Sequence, residues 1–253
     1  MMMTDKDQTP ARAVFLDFTG CRLNEAEVES IARRLAGQGD RIVRDIAEAD
    51  LVIVNTCAVT AEAERKTRQM IRQAGRANPA APIIAAGCYA ALAPADLAAL
   101  PHVAAVIGNA DKEREVLAAA GRPLYEEESI LREPLPPGAL GRTRAFVKVQ
   151  DGCDNRCTFC VTTLARGAAR SRPAGEIVEE VRLLIDMGYR EIVLTGVHLG
   201  AYGKDLDGAA RLGDLIQSVL EASPPRLRLS SLEPWDIAPD FFDLWSDSRL
   251  GPH

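Results

Sequence analysis

The chain predicts an α/β protein built on parallel sheets, and three observations carry that prediction. In its first half, short apolar runs alternate with helical patterns. After an acidic stretch rich in proline and glycine, the same alternation starts again. With 47% hydrophobic but only 5% aromatic residues, the core must be built from Ala, Leu, Val and Ile. Strands that alternate with helices imply parallel sheets covered on both faces.

AVFLDF at 13–18 reads as the first strand. Asn24 then caps a helix, with Glu27 three residues on as the partner in a capping box. LVIVN at 51–55 is the second strand, and 61–78 the second helix. PIIAA at 82–86 is the third strand, with a short helix near 94–100 behind it. VAAVI at 103–107 is the fourth, followed by a helix over 112–120. The stretch PLYEEESILREPLPPGALG, 123–141, has linker composition. The expected division is therefore a first domain over 1–125, a linker over 126–141 and a second domain over 142–253. In the second half RAFVKVQ (144–150), EIVLT (191–195) and RLRLS (226–230) are strands. Helices follow them at 174–187, with Pro173 near the first turn, at 212–221 and at 238–245. Three βα units do not close a barrel, so the sequence reads as cut short or as borrowing the rest of its fold.

The net charge of −6 argues against a whole-surface nucleic-acid binder and leaves room for a local basic patch. The first residues, MMMTDKDQTPARAV, contain no apolar run of the signal or anchor type. No stretch approaches the roughly 20 apolar residues of a spanning helix. The expected compartment is the cytoplasm, with no membrane partner, where thiols stay reduced. Six cysteines there are read as metal ligands or catalytic groups before disulfides.

Three of the six follow strands: Cys21 after the first, Cys57 after the second and Cys88 after the third. The C-terminal ends of parallel strands share one edge, where such sheets bind ligands. One cysteine there is an ordinary buried small residue; three in the same slot point to a shared metal group. The other three, Cys153, Cys157 and Cys160, occupy GCDNRCTFC (152–160) in the loop after a strand. Zinc sites usually combine two ligand pairs, and no second pair is present; His198 is a conceivable fourth ligand, or else ordinary surface or packing. Three thiolates suit a 4Fe–4S cluster with one iron left open.

C-x3-C-x2-C, with Phe159 before the last cysteine, resembles the radical S-adenosylmethionine superfamily. GCRLNEAE (20–27), VNTCAVT (54–60), AGCYA (86–90), FVKVQDGCDNRCTFC (146–160), ARGAARSRP (165–173), LTGVHLGAYG (194–203) and LSSLEPWD (229–236) resemble its methylthiotransferase family. The wording around the triplet is most similar to the threonylcarbamoyladenosine tRNA methylthiotransferases. The resemblance implies an α/β first domain followed by the first half of a partial (β/α) barrel. It implies two 4Fe–4S clusters, one on Cys153, Cys157 and Cys160 and one on Cys21, Cys57 and Cys88, with S-adenosyl-L-methionine on the open iron of the former. A 5′-deoxyadenosyl radical would then take hydrogen from C2 of N6-threonylcarbamoyladenosine beside the tRNA anticodon, and sulfur and methyl would follow. An electron donor such as flavodoxin or ferredoxin, and a sulfur source, are the implied further partners. The alternatives are another adenosine, a ribosomal-protein aspartate, or a non-catalytic iron–sulfur or zinc fragment.

Three further positions are cofactor-binding candidates by the same resemblance. Phe159 would lie near the adenine, or else in the core. Gly196 would meet the cofactor's amino group with its backbone, or simply make a tight turn. Glu233, after the third barrel strand, would reach cofactor or substrate, or stand as a solvated acid. Arg142, Arg144, Lys148, Arg156, Arg166, Arg170 and Arg172 surround the late cysteine loop and offer phosphate contacts, against the reading of a solvated charged face. The sequence departs from the family pattern at Val161-Thr162-Thr163-Leu164, at FTGC, and in lacking the later barrel strands and an RNA-binding β-barrel.

Overall fold

The computed structural model describes residues 11–122, 135–141, 143–155, 157–207, 210–230 and 232–252. Most of the expected linker, together with Arg142 and Arg156, lies outside the described residues.

The first sheet has five parallel strands in the order β2-β1-β3-β4-β5. They are β1 (Ala13–Phe18), β2 (Arg41–Val43), β3 (Leu51–Thr56), β4 (Ile83–Gly87) and β5 (Val103–Ile107). β3 is buried at every position, as expected of a strand covered on both faces. Its side chains alternate between two cores. Leu51 and Ile53 join Val28, Ile31 and Leu35 of α1 (Arg22–Gly37) and Val116 of α5 (Lys112–Ala119). Val52 and Val54 join Ile71 of α2 (Ala61–Ala77) and Leu97 of α4 (Pro94–Ala98). Each fully buried Leu or Ile contributes about 1.5–3 kcal/mol. Thr60 caps α2 by accepting the Ala63 N–H at 3.1 Å.

Among the elements absent from the sequence reading are β2 and the five-residue helix α3 (Cys88–Leu92). The capping box at Asn24 is corrected. Helix α1 begins at Arg22 with Cys21 at its N-cap, so Asn24 and Glu27 lie inside the helix, fully buried.

The second sheet is parallel in the order β10-β9-β6, with β6 (Ala145–Lys148), β9 (Ile192–Thr195) and β10 (Leu227–Leu229). The single strand expected over 144–150 is split: after Val149 a short strand, β7 (Gln150–Asp151), pairs antiparallel with β8 (Arg170–Ser171). Helices α7 (Ala174–Asp186) and α8 (Leu212–Glu221) pack Ile177, Val181, Leu215 and Ile216 on one face. On the other face, Ala26 of α1 meets Phe146 and Val193. Helix α1 is thus shared by both sheets. Residues 239–246 wind as a 3₁₀ helix rather than the expected α-helix. Leu250 pairs parallel with Leu227, so a fourth strand direction begins beside β10.

Candidate functional site

Cys57 and Cys88 stand immediately after the C-terminal ends of β3 and β4, and Cys21 stands three residues after the end of β1. All six cysteines are free of disulfides. Side chains near the strand ends draw the early three together. The Cys57 N–H donates to Thr19 Oγ1 at 3.1 Å. A Cβ added at Gly20 would lie 2.5 Å from Cys57 Sγ, so the backbone before Cys21 abuts that thiol. Thr56 Oγ1 donates to the Ala86 carbonyl at 2.7 Å and accepts the Ala90 N–H at 3.3 Å, which ties β3 to the helix that starts at Cys88. Burial pushes the Cys57 thiol up, and the neighbouring Cys21 and Cys88 push it further. An open cavity of about 550 Å³ lies beside this edge, lined by Thr19, Gly20, Thr60, Lys66 and Met70 among others.

The late cysteines are more accessible. Cys157 and Cys160 are exposed and Cys153 is half-buried. Backbone N–H groups already face two of the sulfurs: Asn155 N–H at 3.4 Å from Cys153 Sγ and Thr162 N–H at 3.5 Å from Cys160 Sγ. Among the described residues, no three His, Cys, Asp or Glu side chains gather tightly enough for a single metal ion. The donor chemistry suits a larger group: free thiols with N–H donors aimed at sulfur are the surroundings of an iron–sulfur cluster.

The two trios adjoin. Helix α6 (Thr162–Arg166), which leaves the late loop, packs on α3, which starts at Cys88. Asn109 Nδ2 links them, lying 2.6 Å from the Ala165 carbonyl and 3.5 Å from Cys88 Sγ. Beneath this contact is a buried polar network that the sequence did not disclose. Glu27 accepts from Arg166 (2.9 and 3.2 Å), Asn55 (3.0 Å), Lys148 (3.4 Å) and Lys112. Burial pushes the Glu27 carboxyl up, but Lys112, Arg166 and Lys148 together hold it well below the usual carboxylate range.

The expected phosphate-binding cluster is corrected in part. Arg166 is buried against Glu27 and Asp151. Lys148 pairs with Glu27, Glu113 and Asp151, and Arg172 with Glu180 and Glu176. Arg144 pairs loosely with Glu191 at 3.7 Å, and Arg170 is exposed.

Phe159 is 88% exposed, so the alternative of plain core packing is overturned. A Cβ at Gly196 would sit 3.0–3.3 Å from Gln150 atoms, a close approach that favours glycine. Glu233 is half-buried and precedes a 3₁₀ turn over Pro234–Asp236. His198 is buried: its Nε2 donates to Asp236 Oδ2 at 2.5 Å, and its Nδ1 lies 3.8 Å from Cys153 Sγ. The earlier alternatives for His198 did not include this partner, because Asp236 lies 38 residues away in sequence.

Comparison with known proteins identifies the two halves by family. Residues 13–108 match the family described as Uncharacterized protein family UPF0004, and residues 147–247 match the Radical SAM superfamily. The threonylcarbamoyladenosine tRNA methylthiotransferase MtaB of Bacillus subtilis is 37% identical over 89% of this chain and 52% of its own length. Its counterpart in Rickettsia prowazekii is 38% identical over 92% and 56%. A tRNA-2-methylthio-N(6)-dimethylallyladenosine synthase of Staphylococcus saprophyticus is 32% identical over 92% and 49%. Among solved structures, the radical S-adenosylmethionine methyltransferase TsrM of Kitasatospora setae, with cobalamin and a 4Fe–4S cluster bound, shares the fold. It matches with a TM-score of 0.57 and 16% identity, over 95% of this chain and 60% of that one. The chain spans about half the length of the curated relatives it matches. With both family regions present in order, and with relatives at this identity along nearly all of its length, the chain belongs to the radical S-adenosylmethionine methylthiotransferase family.

Proposed function

We propose that this chain is the cluster-bearing portion of a cytoplasmic tRNA methylthiotransferase acting at C2 of N6-threonylcarbamoyladenosine beside the anticodon. The observation that carries the reading is the packing of α6 on α3, which seats the late trio's loop against the helix beginning at Cys88. Cys153, Cys157 and Cys160 would hold one 4Fe–4S cluster and Cys21, Cys57 and Cys88 a second. When bound, a cluster with an open iron supplies the electron and the site for S-adenosyl-L-methionine, giving radical chemistry that acid–base side chains cannot perform on an unactivated C–H bond.

The chain's own residues do the holding and shaping. Phe159, exposed beside the late trio, offers a face for the cofactor's adenine. Gly196 keeps the end of β9 free of a side chain that Gln150 would meet. Glu233 follows β10 on the same edge as Cys153's loop. A sulfur source for the early trio belongs to the same reading. The threonylcarbamoyl adenosine is favoured over the dimethylallyl one by the relatives' identities, 37–38% against 32%. An electron donor and the remaining substrate-binding surface complete the activity in this reading. The domain division at 1–125, 126–141 and 142–253 belongs to the same proposal.

Anaerobic reconstitution with iron and sulfide tests it. Two four-iron clusters per chain are expected, with half the iron lost when either trio is changed to alanine. Cleavage of S-adenosyl-L-methionine on reduction should need only the late trio. A chain that binds one zinc and leaves the cofactor intact would overturn the proposal.

A further inference from the structure

The Arg166 guanidinium touches two other segments at once. Its Nη1 donates to Asp151 Oδ1 and Glu27 Oε1, each at 2.9 Å. Its Nη2 donates to Asn24 Oδ1 at 2.7 Å and Glu27 Oε2 at 3.2 Å. Asp151 lies on β7, which leads into Cys153; Arg166 ends α6, which leaves Cys160. Asn24 and Glu27 lie on α1, in the first two turns after Cys21. Asn24 also donates to the Thr19 and Thr56 carbonyls, beside Cys21 and Cys57. Asn55, two residues before Cys57, reaches the same Glu27 carboxylate. Hence a single side chain, 2% exposed, spans from the late loop to the strand ends of the early trio.

Charge alone does not account for an arginine here. Lys112 and Lys148 already face Glu27, and Lys148 also faces Asp151. A third ammonium would complete the balance equally well. What it would lack is the planar fork, which lets one cation hold two carboxylates and an amide in fixed directions. A buried ionic group of this kind is best attested as a device that fixes register rather than one that adds stability.

We propose that Arg166 is a positioning residue that fixes how the late cysteine loop seats against the early trio. The magnetic part of the test rests on the two-cluster function proposed above; the exchange part rests on geometry alone.

The test compares the full chain with Arg166→Lys, which keeps the charge and removes the fork. Hydrogen–deuterium exchange is expected to quicken several-fold at residues 88–92 and 162–166, with strands 51–56 and 192–195 unchanged. After anaerobic reconstitution, the iron content is expected to hold while the spin–spin interaction between the two reduced clusters shifts from its wild-type value. A merely structural role would raise exchange throughout both sheets, and that result overturns the proposal; so does exchange equal to wild type, or an unaltered spin–spin interaction. Should Arg166→Lys fail to fold, Asp151→Asn, which preserves shape, carries the same local exchange expectation, and a uniform or absent change there overturns it. If the wild-type chain takes up a single cluster, the functional reading fails and the exchange pattern still decides the role of Arg166.

Discussion

His198 and Asp236, from the loops after neighbouring strands β9 and β10, are joined by a 2.5 Å hydrogen bond between Nε2 and Oδ2. A carboxylate only accepts, so Nε2 carries the proton. On the other side of the ring, Nδ1 lies 3.3 Å from the Asn155 side-chain amide nitrogen. Lys204 donates to the other Asp236 oxygen at 2.7 Å. The chain of contacts therefore runs from Lys204 to the loop that carries Cys153.

Removing the middle of that chain should loosen what the loop holds. In reconstituted protein, Asp236→Ala is expected to speed chelator extraction of iron by roughly 10–100-fold, the usual scale for partners that orient metal ligands. Chelator competition followed by absorbance measures it, and a rate equal to wild type would refute the role.

Gly87, just before Cys88, has φ +108°, and a Cβ there would lie 2.4 Å from Asn55 Oδ1 and 2.7 Å from the Thr56 carbonyl. Gly87→Ala therefore combines backbone strain with a clash against backbone. The expected loss is at least about 1–3 kcal/mol, read as a lower midpoint in denaturant melts of the metal-free chain. Iron uptake by the early trio should fall further than uptake by the late trio.

The Glu27 carboxyl is held below the usual carboxylate range, so in mild acid the unfolded chain binds the proton that the folded chain refuses. Its stabilising contribution is complete above the unfolded value of about 4.3 and is lost as pH falls through the folded one. Glu27→Gln should flatten this acid limb. At pH 7 it should cost about 3–5 kcal/mol, because buried cations are left short of a counter-charge. Denaturant melts across pH 3–7 show both effects; an unchanged acid slope would contradict the assignment.

Phe159 makes the opposite kind of prediction. At 88% exposed it supports little of the fold, so Phe159→Ala should change stability by no more than about 0.5 kcal/mol. Affinity for S-adenosyl-L-methionine should still weaken, by equilibrium dialysis against reconstituted protein. A loss of stability without a loss of affinity would move Phe159 back to a packing role.

Much of the architecture was legible because parallel strands announce themselves locally. LVIVN and EIVLT are apolar runs whose pairing direction follows from the helices around them. The edge rule puts Cys21, Cys57 and Cys88 at one sheet edge, and each does follow the C-terminal end of a parallel strand. Where reading failed, the deciding partner was distant. Asn24 and Glu27 have the spacing of a capping box, and nothing nearby reveals that Glu27 instead meets Lys112 and Arg166, 85 and 139 residues away. Arg166 looked like a phosphate contact for the same reason, since its partner Glu27 lies on another element. Short elements such as RIV at 41–43 and CYAAL at 88–92 hold too few residues for periodicity to show.

The sharing of α1 between both sheets has a consequence for the order of assembly. A ribosome releases the first half before the second exists. At that stage Glu27 has Lys112 from its own half, but Arg166 and Lys148 have not been made, and Glu29 has yet to meet the Phe146 N–H it accepts at 3.0 Å. The nascent half thus waits with carboxylates and with Arg33, whose partner Glu180, at 2.7 Å, belongs to the second half. The segment that docks there must bring cations, a carboxylate and a free strand amide, so the docking of the two halves during synthesis is chosen by charge as well as by shape.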